Sequence, residues 1–406
     1  MSKSDSYYYL LPFAVIYFFG NNLLLPEGLL YTAILSPVLL YYIYREGDFK
    51  DLLKWSLLLL IPIPFQLVSG VDLKSYIIST TLLLSAWIFL FASIRAVKNY
   101  SNNLETIFRA VLIINSVLLL IALFALPFQP LRDILWDSIP ISANVPGFPR
   151  LKLLAYEPSH YALLLSPVFF YYLLRMITGK MKHPFLMIIA IGLPILLSLS
   201  FGVIGAMVLA FFIVSIIYAK KLPTIFWSYF FYSLLFATTI IVIIWFIWPE
   251  NPIFLRISNI IAGSDTSGKG RVFTSFMFAF DLIKTNNLVM GIGPGQVKIL
   301  AHDLIINYYK YTGDYAVIVR IPNSMGETLA IYGFYGFLLK LFFEIYFFIR
   351  LKIYENLYSM ILFLFIFIYQ FTGSFLINVA EIGIWVILFN ARFHRFDLDK
   401  LKKAGA

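Results

Sequence analysis

Residues 111–126 read Val-Leu-Ile-Ile-Asn-Ser-Val-Leu-Leu-Leu-Ile-Ala-Leu-Phe-Ala-Leu, inside an apolar stretch at 108–128 whose one charged residue is Arg109. A run of about 20 apolar residues is what a helix needs to cross the roughly 30 Å hydrocarbon core of a bilayer. It is too continuous for a strand of a transmembrane barrel, where apolar and polar residues alternate. The rest of the chain repeats the pattern. Apolar segments stand near 6–25, 28–44, 53–69, 75–94, 108–128, 159–177, 185–200, 202–219, 223–248, 325–349, 357–376 and 378–391. Gly192, Pro194, Gly202 and Gly205 argue for a break between the seventh and eighth, with Ser198-Leu-Ser-Phe-Gly202 as the hairpin tip.

Composition points the same way. The 406 residues are 61% hydrophobic and 13% charged, with a mean hydropathy of +0.86. Soluble domains run at about 45–50% apolar and about 25% charged. The expected fold is all-α: one polytopic integral-membrane helical bundle over residues 1–406, with about twelve transmembrane helices. Disorder, coiled coil and collagen are excluded. The chain has no cysteine, which removes disulfides, thiolate metal sites and a cysteine nucleophile. Met1-Ser-Lys-Ser-Asp5 leads into Tyr7–Gly20 without a small-residue cleavage site, so a retained first span is expected.

Lys and Arg set the expected orientation. With twelve spans and both termini cytoplasmic, the inner segments carry nineteen basic residues and the four short outer loops carry one, Lys74. Two outer loops are long, 129–158 and 249–321, and residues 392–406 form a cytoplasmic tail. The larger loop is expected to contain short helices. Net charge is +10, but its placement matters more than its size, and no nucleic-acid partner is expected. Cations kept in the long outer loops, against the usual bias, suggest an anionic ligand there. Attraction to lipid headgroups is the plainer alternative.

Three segments carry chemical types. Gly147-Phe-Pro-Arg150-Leu-Lys152-Leu-Leu-Ala-Tyr156-Glu157-Pro-Ser-His160 closes the first long loop. Pro158 suits the first helical position, which makes Glu157 the N-cap and turns its carboxylate toward His160. Either could act as a general base, though a helix N-terminus lowers a carboxylate's pKa. Ser267-Gly-Lys-Gly-Arg271, leading to Gly291-Ile-Gly293-Pro-Gly295, is a glycine-rich run whose backbone N–H groups could approach an anion. Gly263–Lys269 imitates a phosphate-binding loop but has Gly270 where Ser or Thr is required, and Gly291-x-Gly293 lacks a third glycine. Arg320-Ile-Pro-Asn323-Ser-Met-Gly-Glu327 opens the tenth span, with Ser324-x-x-Glu327 as a capping-box pattern. Lys340 and Glu344, at i,i+4 inside that span, are expected to neutralise each other. Glu381 is an interfacial charge within possible reach of the site, and His302 is an open candidate. Tyr308, Tyr309, Tyr311 and Tyr315 could stack on sugars or anchor at the interface. Asp397-x-Asp399 reads as a solvated run in the tail.

Taken together, these segments resemble a family. Arg150 followed by Tyr156-Glu-Pro-Ser-His-Tyr-Ala162 is similar to an Arg…Glu-Pro-Ser-x-x-Ala element of Wzy-type polysaccharide polymerases. Ser198–Gly205 resembles their next hairpin. Gly268-x-x-Arg271 with Gly291–Gly295 resembles the large outer loop of the O-antigen polymerase and ligase superfamily. Asn323-Ser-x-x-x-Glu327 with Gly333-x-x-Gly336 resembles the span that follows. The resemblance covers roughly residues 100–391. The ligase branch shows a His-Asn pair where this chain has Pro322-Asn323, which favours the polymerase side.

The resemblance implies a GT-C-like membrane glycosyltransferase in the cytoplasmic (inner) membrane, working at its periplasmic or extracellular face. It would join undecaprenyl-diphosphate-linked oligosaccharides into O-antigen of lipopolysaccharide, capsule or exopolysaccharide. An acceptor hydroxyl attacks the donor's anomeric carbon and lipid diphosphate leaves. Arg150, Lys152, Arg271 and Arg320 would hold the diphosphate. Glu157 or His160 would take the proton, with Glu327 as the next candidate, and Arg271 would be catalytic. Tyr156, Gly291, Gly293, Asn323 and Glu327 would orient substrate. No cofactor is required, and a divalent metal is neither demanded nor ruled out. A chain-length regulator and a flippase are the implied protein partners. The rivals are a ligase of finished glycan and, from another class, a flippase without chemistry.

Overall fold

The computed structural model describes residues 7–19, 25, 29–138, 148–178, 183–222, 251–262, 266–309 and 319–404, with scattered positions between 227 and 247. Most of the predicted ninth span, 223–248, lies outside the described residues. So do Gly147, Gly263, Lys310, Tyr311 and Tyr315.

The described residues are almost wholly helical, with two strands of two residues each. Four helical stretches are long and apolar enough to cross a membrane by length and composition: Phe49–Val68, Leu73–Ala125, Pro158–Ile177 and Ser324–Arg350. Shorter apolar helices cover Leu186–Leu197, Phe201–Ile217, Leu357–Tyr369 and Val379–Asn390. The regular run of twelve uninterrupted spans is not displayed, and the reason is local. In 28–44 the chain makes Tyr31–Ile34 and then Ser36–Arg45, with Pro37 at the second helix's start. In 53–69 it makes Phe49–Leu60 and Ile63–Val68, separated at Pro62. Proline removes a helical N–H and clashes with the preceding turn. Leu73–Ala125 is two helices, Leu73–Tyr100 and Leu104–Ala125, divided by the 3-10 turn Ser101–Asn103. The break after Leu197 falls where glycine and proline predicted it: Leu199 takes φ 47° and a helix restarts at Phe201.

Contacts sort the helix ends into two groups. At one end Arg95 pairs with Glu46 and Asp48, and Arg395 pairs with Glu105. Arg392 pairs with Glu355 and Asp397 there, and both Arg175 and Arg395 lie over Tyr171. These basic residues are among those read as cytoplasmic. The tail at this end is docked rather than solvated. Phe393 and Phe396 pack on Tyr171 and Tyr358, and Asn356 donates to Asp397 Oδ1 and to the Phe393 carbonyl. Burying those two rings outweighs the attraction of water for the charged residues between them.

The other end carries both long loops. The first contains a helix, Gln129–Leu135, and strands β1, Trp136–Asp137, and β2, Arg150–Leu151, which pair antiparallel. Trp136 Nε1 donates to the Ala122 carbonyl and fixes this unit to the helix below it. The second contains Pro252–Ile261, Ser275–Thr285, Val297–Leu300 and His302–Tyr309, the short helices expected of it. Phe278, Leu282, Ile283, Ile292 and Ile305 form a small core with Leu329 and Ile331.

Ser324–Arg350, predicted as one span, breaks at Gly333, whose φ 60° and ψ −158° belong to a region open in practice only to glycine. Lys340 Nζ reaches back to Ser324 Oγ at 2.8 Å. Sixteen residues of straight helix would hold them about 24 Å apart, so the second half folds back on the first. The glycine-rich loop splices the break. Ile292 and Gly293 donate to the Ala330 and Ile331 carbonyls, while Phe334 and Tyr335 donate to Leu288 and Val289. The helix groups orphaned by the kink thus find partners in a neighbouring strand of backbone.

Candidate functional site

The outer end of the helix Pro158–Ile177 is built by the strand pair before it. Lys152 and Leu153 both donate to the Leu135 carbonyl at 3.0 Å, and Leu153 turns through φ 46°. Extended Glu157 then occupies the N-cap and Pro158 the first turn, as the sequence indicates. The side chain of Glu157 does not cap the helix. It accepts from Ser159 Oγ at 2.6 Å. His160 is 1% exposed and stacks on Tyr156 with ring centroids 4.7 Å apart, so it lies behind the tyrosine.

Arg320 enters where the large loop returns to the helices. Its guanidinium rests on the Phe375 ring, 4.8 Å from the centroid, and its charge acts on Tyr156, Glu157 and Glu327. Arg271 lies in a π-helical turn, Gly270–Thr274, and its charge acts on Glu157 and Tyr369. Such turns recur where a helix must re-aim a side chain. A Cβ at Gly270 would meet the Tyr309 hydroxyl, so a larger residue there would have to displace that side chain.

Asn323 joins these pieces. Its Oδ1 accepts from the Gly326 N–H and caps the helix that opens at Ser324. Its Nδ2 donates to the carbonyls of Arg271 and Phe371. The predicted Ser324–Glu327 capping box is therefore not formed, since Asn323 already serves that cap. Glu327 instead accepts the Leu376 N–H at 2.6 Å, which fixes the turn carrying Phe375 under Arg320.

Tyr156, Glu157 and Glu327 are half-buried, and the Arg320 residue is open to water although its guanidinium packs on Phe375. Burial pushes the Glu157 carboxyl up, but Arg320, the Ser159 hydroxyl, Arg271 and His160 outweigh it and hold it below the ordinary carboxylate range. Burial works against the charge of Arg320, while Tyr156, Glu157 and Glu327 favour it and win. Burial drives the Tyr156 phenol far up, which keeps it a neutral hydroxyl.

The structure brings Tyr156, Glu157, Arg271, Arg320, Asn323 and Glu327 together, with His160 behind. It does not bring every predicted residue. Arg150 is in β2 and spends its charge on Asp137 at 2.6 Å, and Lys152 serves the same loop through its backbone. The N–H groups of Gly291, Ile292 and Gly293 go to the carbonyls of Asn287, Ala330 and Ile331, so this loop is a splice and not an anion cradle. His302 is half exposed and pairs with Asp303 at 2.9 Å. The expected Lys340–Glu344 pair is replaced: Lys340 pairs with Glu381 at 2.9 Å, and Glu344 accepts from Gln370 at 2.7 Å.

Tyr369 was missed by sequence reasoning. The charges of Glu157, Arg271, Arg320 and Glu381 all act on it, yet it ends an apolar run and looks like any interfacial tyrosine. Phe375 escapes for the same reason: nothing local marks it, whereas Ser159 stands in the Glu157-Pro-Ser159 element but carried no assigned role. A small cavity lined by Phe18, Asn115, Leu154 and Tyr161 among others is mostly apolar and does not include these charged groups. Among the described residues no cluster of three or more His, Asp or Glu could hold a metal ion. A scan against protein-family models returns no match for this chain, and a search of curated proteins returns none.

Proposed function

We propose that this protein is an integral-membrane glycan polymerase that extends a polysaccharide from lipid-diphosphate-linked repeat units. The reading rests on one observation above others: the charges of two arginines, Arg271 and Arg320, act on one half-buried carboxylate, Glu157, at the end of the bundle away from the basic cluster of Arg95, Arg392 and Arg395. That separation suits a site on the outer face with both termini inside and about twelve crossings in all.

The chemistry follows from the residues. Arg271 and Arg320 bind the donor's diphosphate, whose charge grows as the glycosidic bond lengthens. The acceptor hydroxyl oxygen forms a bond to the anomeric carbon, the bond from that carbon to the diphosphate breaks, and lipid diphosphate departs with the bonding pair. Glu157 takes the hydroxyl proton. Its lowered pKa is no obstacle, because in an oxocarbenium-like transition state the attacking hydroxyl has already become acidic when it gives up its proton. His160, buried behind Tyr156, positions the ring and does not meet substrate. Asn323 and Glu327 hold the two arginines in place, and neither touches the sugar. Lipid-linked oligosaccharide is both donor and acceptor, and a separate chain-length regulator would act on the product.

The test is reconstitution of the full chain in nanodiscs with an undecaprenyl-diphosphate repeat unit and no other acceptor. A ladder of products spaced by one unit is expected. Single transfer to an added lipid or protein acceptor would make it a ligase. Movement of the lipid-linked unit across a bilayer without new bonds would make it a transporter.

A further inference from the structure

Next to this charged group, from Ser324 onward, lies a second polar cluster that this chemistry does not use. The folded-back half of the broken helix brings Lys340 and Glu344 against Ser324, Gln370 and Glu381. Lys340 Nζ donates to Glu381 Oε1 at 2.9 Å and to Ser324 Oγ at 2.8 Å. Ser324 Oγ lies 3.2 Å from the same carboxylate oxygen. Gln370 Nε2 donates to Glu344 Oε2 at 2.7 Å. Glu344 and Glu381 are each 5% exposed and Gln370 is fully buried.

Two facts about this cluster do not balance. Its formal charge is one ammonium against two carboxylates, and a net charge in an apolar bundle is costly. In addition, Glu344 Oε1, Gln370 Oε1 and Glu381 Oε2 are buried and have no hydrogen-bond donor among the described residues. Buried acceptors normally have a partner. Gln370 Oε1 belongs to the side chain whose amide nitrogen holds Glu344. A metal cation is disfavoured by the ammonium already seated on Glu381. A single proton on Glu344 cancels the surplus charge and turns one of the three unpartnered oxygens into a donor.

We propose that the cluster is a buried proton-binding site, with one proton held on Glu344 at neutral pH while Glu381 stays ionised against Lys340. Glu344 takes the proton because its one hydrogen-bond partner among the described residues is a neutral amide, whereas Glu381 has the ammonium. Lys340 on its own helix, Gln370 at the end of Leu357–Tyr369 and Glu381 face Glu344. Ser324, Glu327 one turn above it, and Tyr369 face Glu381. The bound proton steadies the folded-back helix against Ser324, the residue after Asn323.

Infrared spectroscopy of the full chain in nanodiscs tests this directly, since a protonated carboxyl has a C=O band distinct from carboxylate and amide. The wild-type protein is expected to show such a band at neutral pH that is lost in Glu344→Gln. The band is also expected to vanish in Glu381→Gln, because Glu344 then becomes the counter-ion of Lys340 and no proton is needed. Absence of the band in wild type, or its survival unchanged in either variant, overturns the proposal. If Glu344→Gln does not accumulate, Glu344→Asp serves. The band then shifts in frequency, and an unshifted band overturns the assignment. A second readout is the thermal midpoint. The folded state binds a proton that the unfolded chain has released at neutral pH, so stability falls as pH rises and the site empties. Wild type is expected to lose thermal stability toward alkaline pH more steeply than Glu344→Gln, and equal slopes overturn the proposal.

Discussion

Glu157 is held between opposing pulls, and its value as a base depends on which wins. Desolvation favours the neutral acid, but the nearby arginines favour the carboxylate and prevail. The folded state therefore binds the proton more weakly than the unfolded chain. The stabilisation is complete above the unfolded pKa and is lost as pH falls through the lowered value. An ordinary glutamate titrates at about 4.3, so Glu157 is expected to contribute no acid limb to the ladder-forming rate above about pH 5. A limb above that point that disappears in Glu157→Gln would contradict this. Glu157→Gln itself is expected to slow polymerisation about 10²–10⁴-fold, the usual worth of a positioned base, with no change in membrane content. Arg271→Ala is expected to abolish the ladder, also with normal membrane content, and retained activity would remove it from the diphosphate clamp. That Glu157 and Arg271 are candidates for chemistry was legible from residue type and position. That their charges act on each other was not, because 114 residues of chain separate them.

At the scale of elements, the glycine-rich loop and the broken helix are one device. A Cβ on Gly333 would meet the Val289 carbonyl oxygen at 2.4 Å, and one on Gly291 would meet the Ile331 carbonyl oxygen at 2.4 Å. Both also sit at positive φ. Gly333→Ala is expected to cost at least about 1–3 kcal/mol from backbone strain alone, read as a lowered thermal midpoint. Gly291→Ala is expected to do the same, and the double variant less than the sum, because the two contacts belong to one splice. An additive double variant would show that the splice is not a unit. The sequence marks these glycines clearly. It marks them equally well for an anion-binding loop, and the choice between the two readings lies in where three N–H groups point.

For the molecule as a whole, the buried pair of Lys340 and Glu381 ties the helix that follows the large loop to the helix Val379–Asn390. Lys340→Met strands the Glu381 carboxylate and is expected to cost about 3–5 kcal/mol, while Lys340→Met with Glu381→Leu recovers most of it. Thermal unfolding in nanodiscs reads both, and a double variant no better than the single would show that the pair contributes more than charge balance. The absence of cysteine makes the expected topology directly measurable. A single cysteine at Lys298 is expected to react with an impermeant thiol reagent added outside intact cells. One at Lys400 is expected to react only after permeabilisation, and the reverse pattern would invert the orientation.

The helical class, the apolar runs long enough to cross a membrane and the identity of the charged candidates were determined by the sequence, because bilayer crossing imposes long apolar runs that need no tertiary contact to be seen. The partition of those runs into shorter helices followed locally too, at prolines and glycines, once read for breaks. What only the tertiary structure decided is which charge faces which. Lys340 chose Glu381 over the nearer Glu344, Asn323 displaced Ser324 as the cap, and Tyr369 joined the charged group from an apolar run. The first depends on the fold-back at Gly333, and the third brings together residues far apart in the chain. Electrostatic partners are selected by distance in space, which spacing along the chain does not encode.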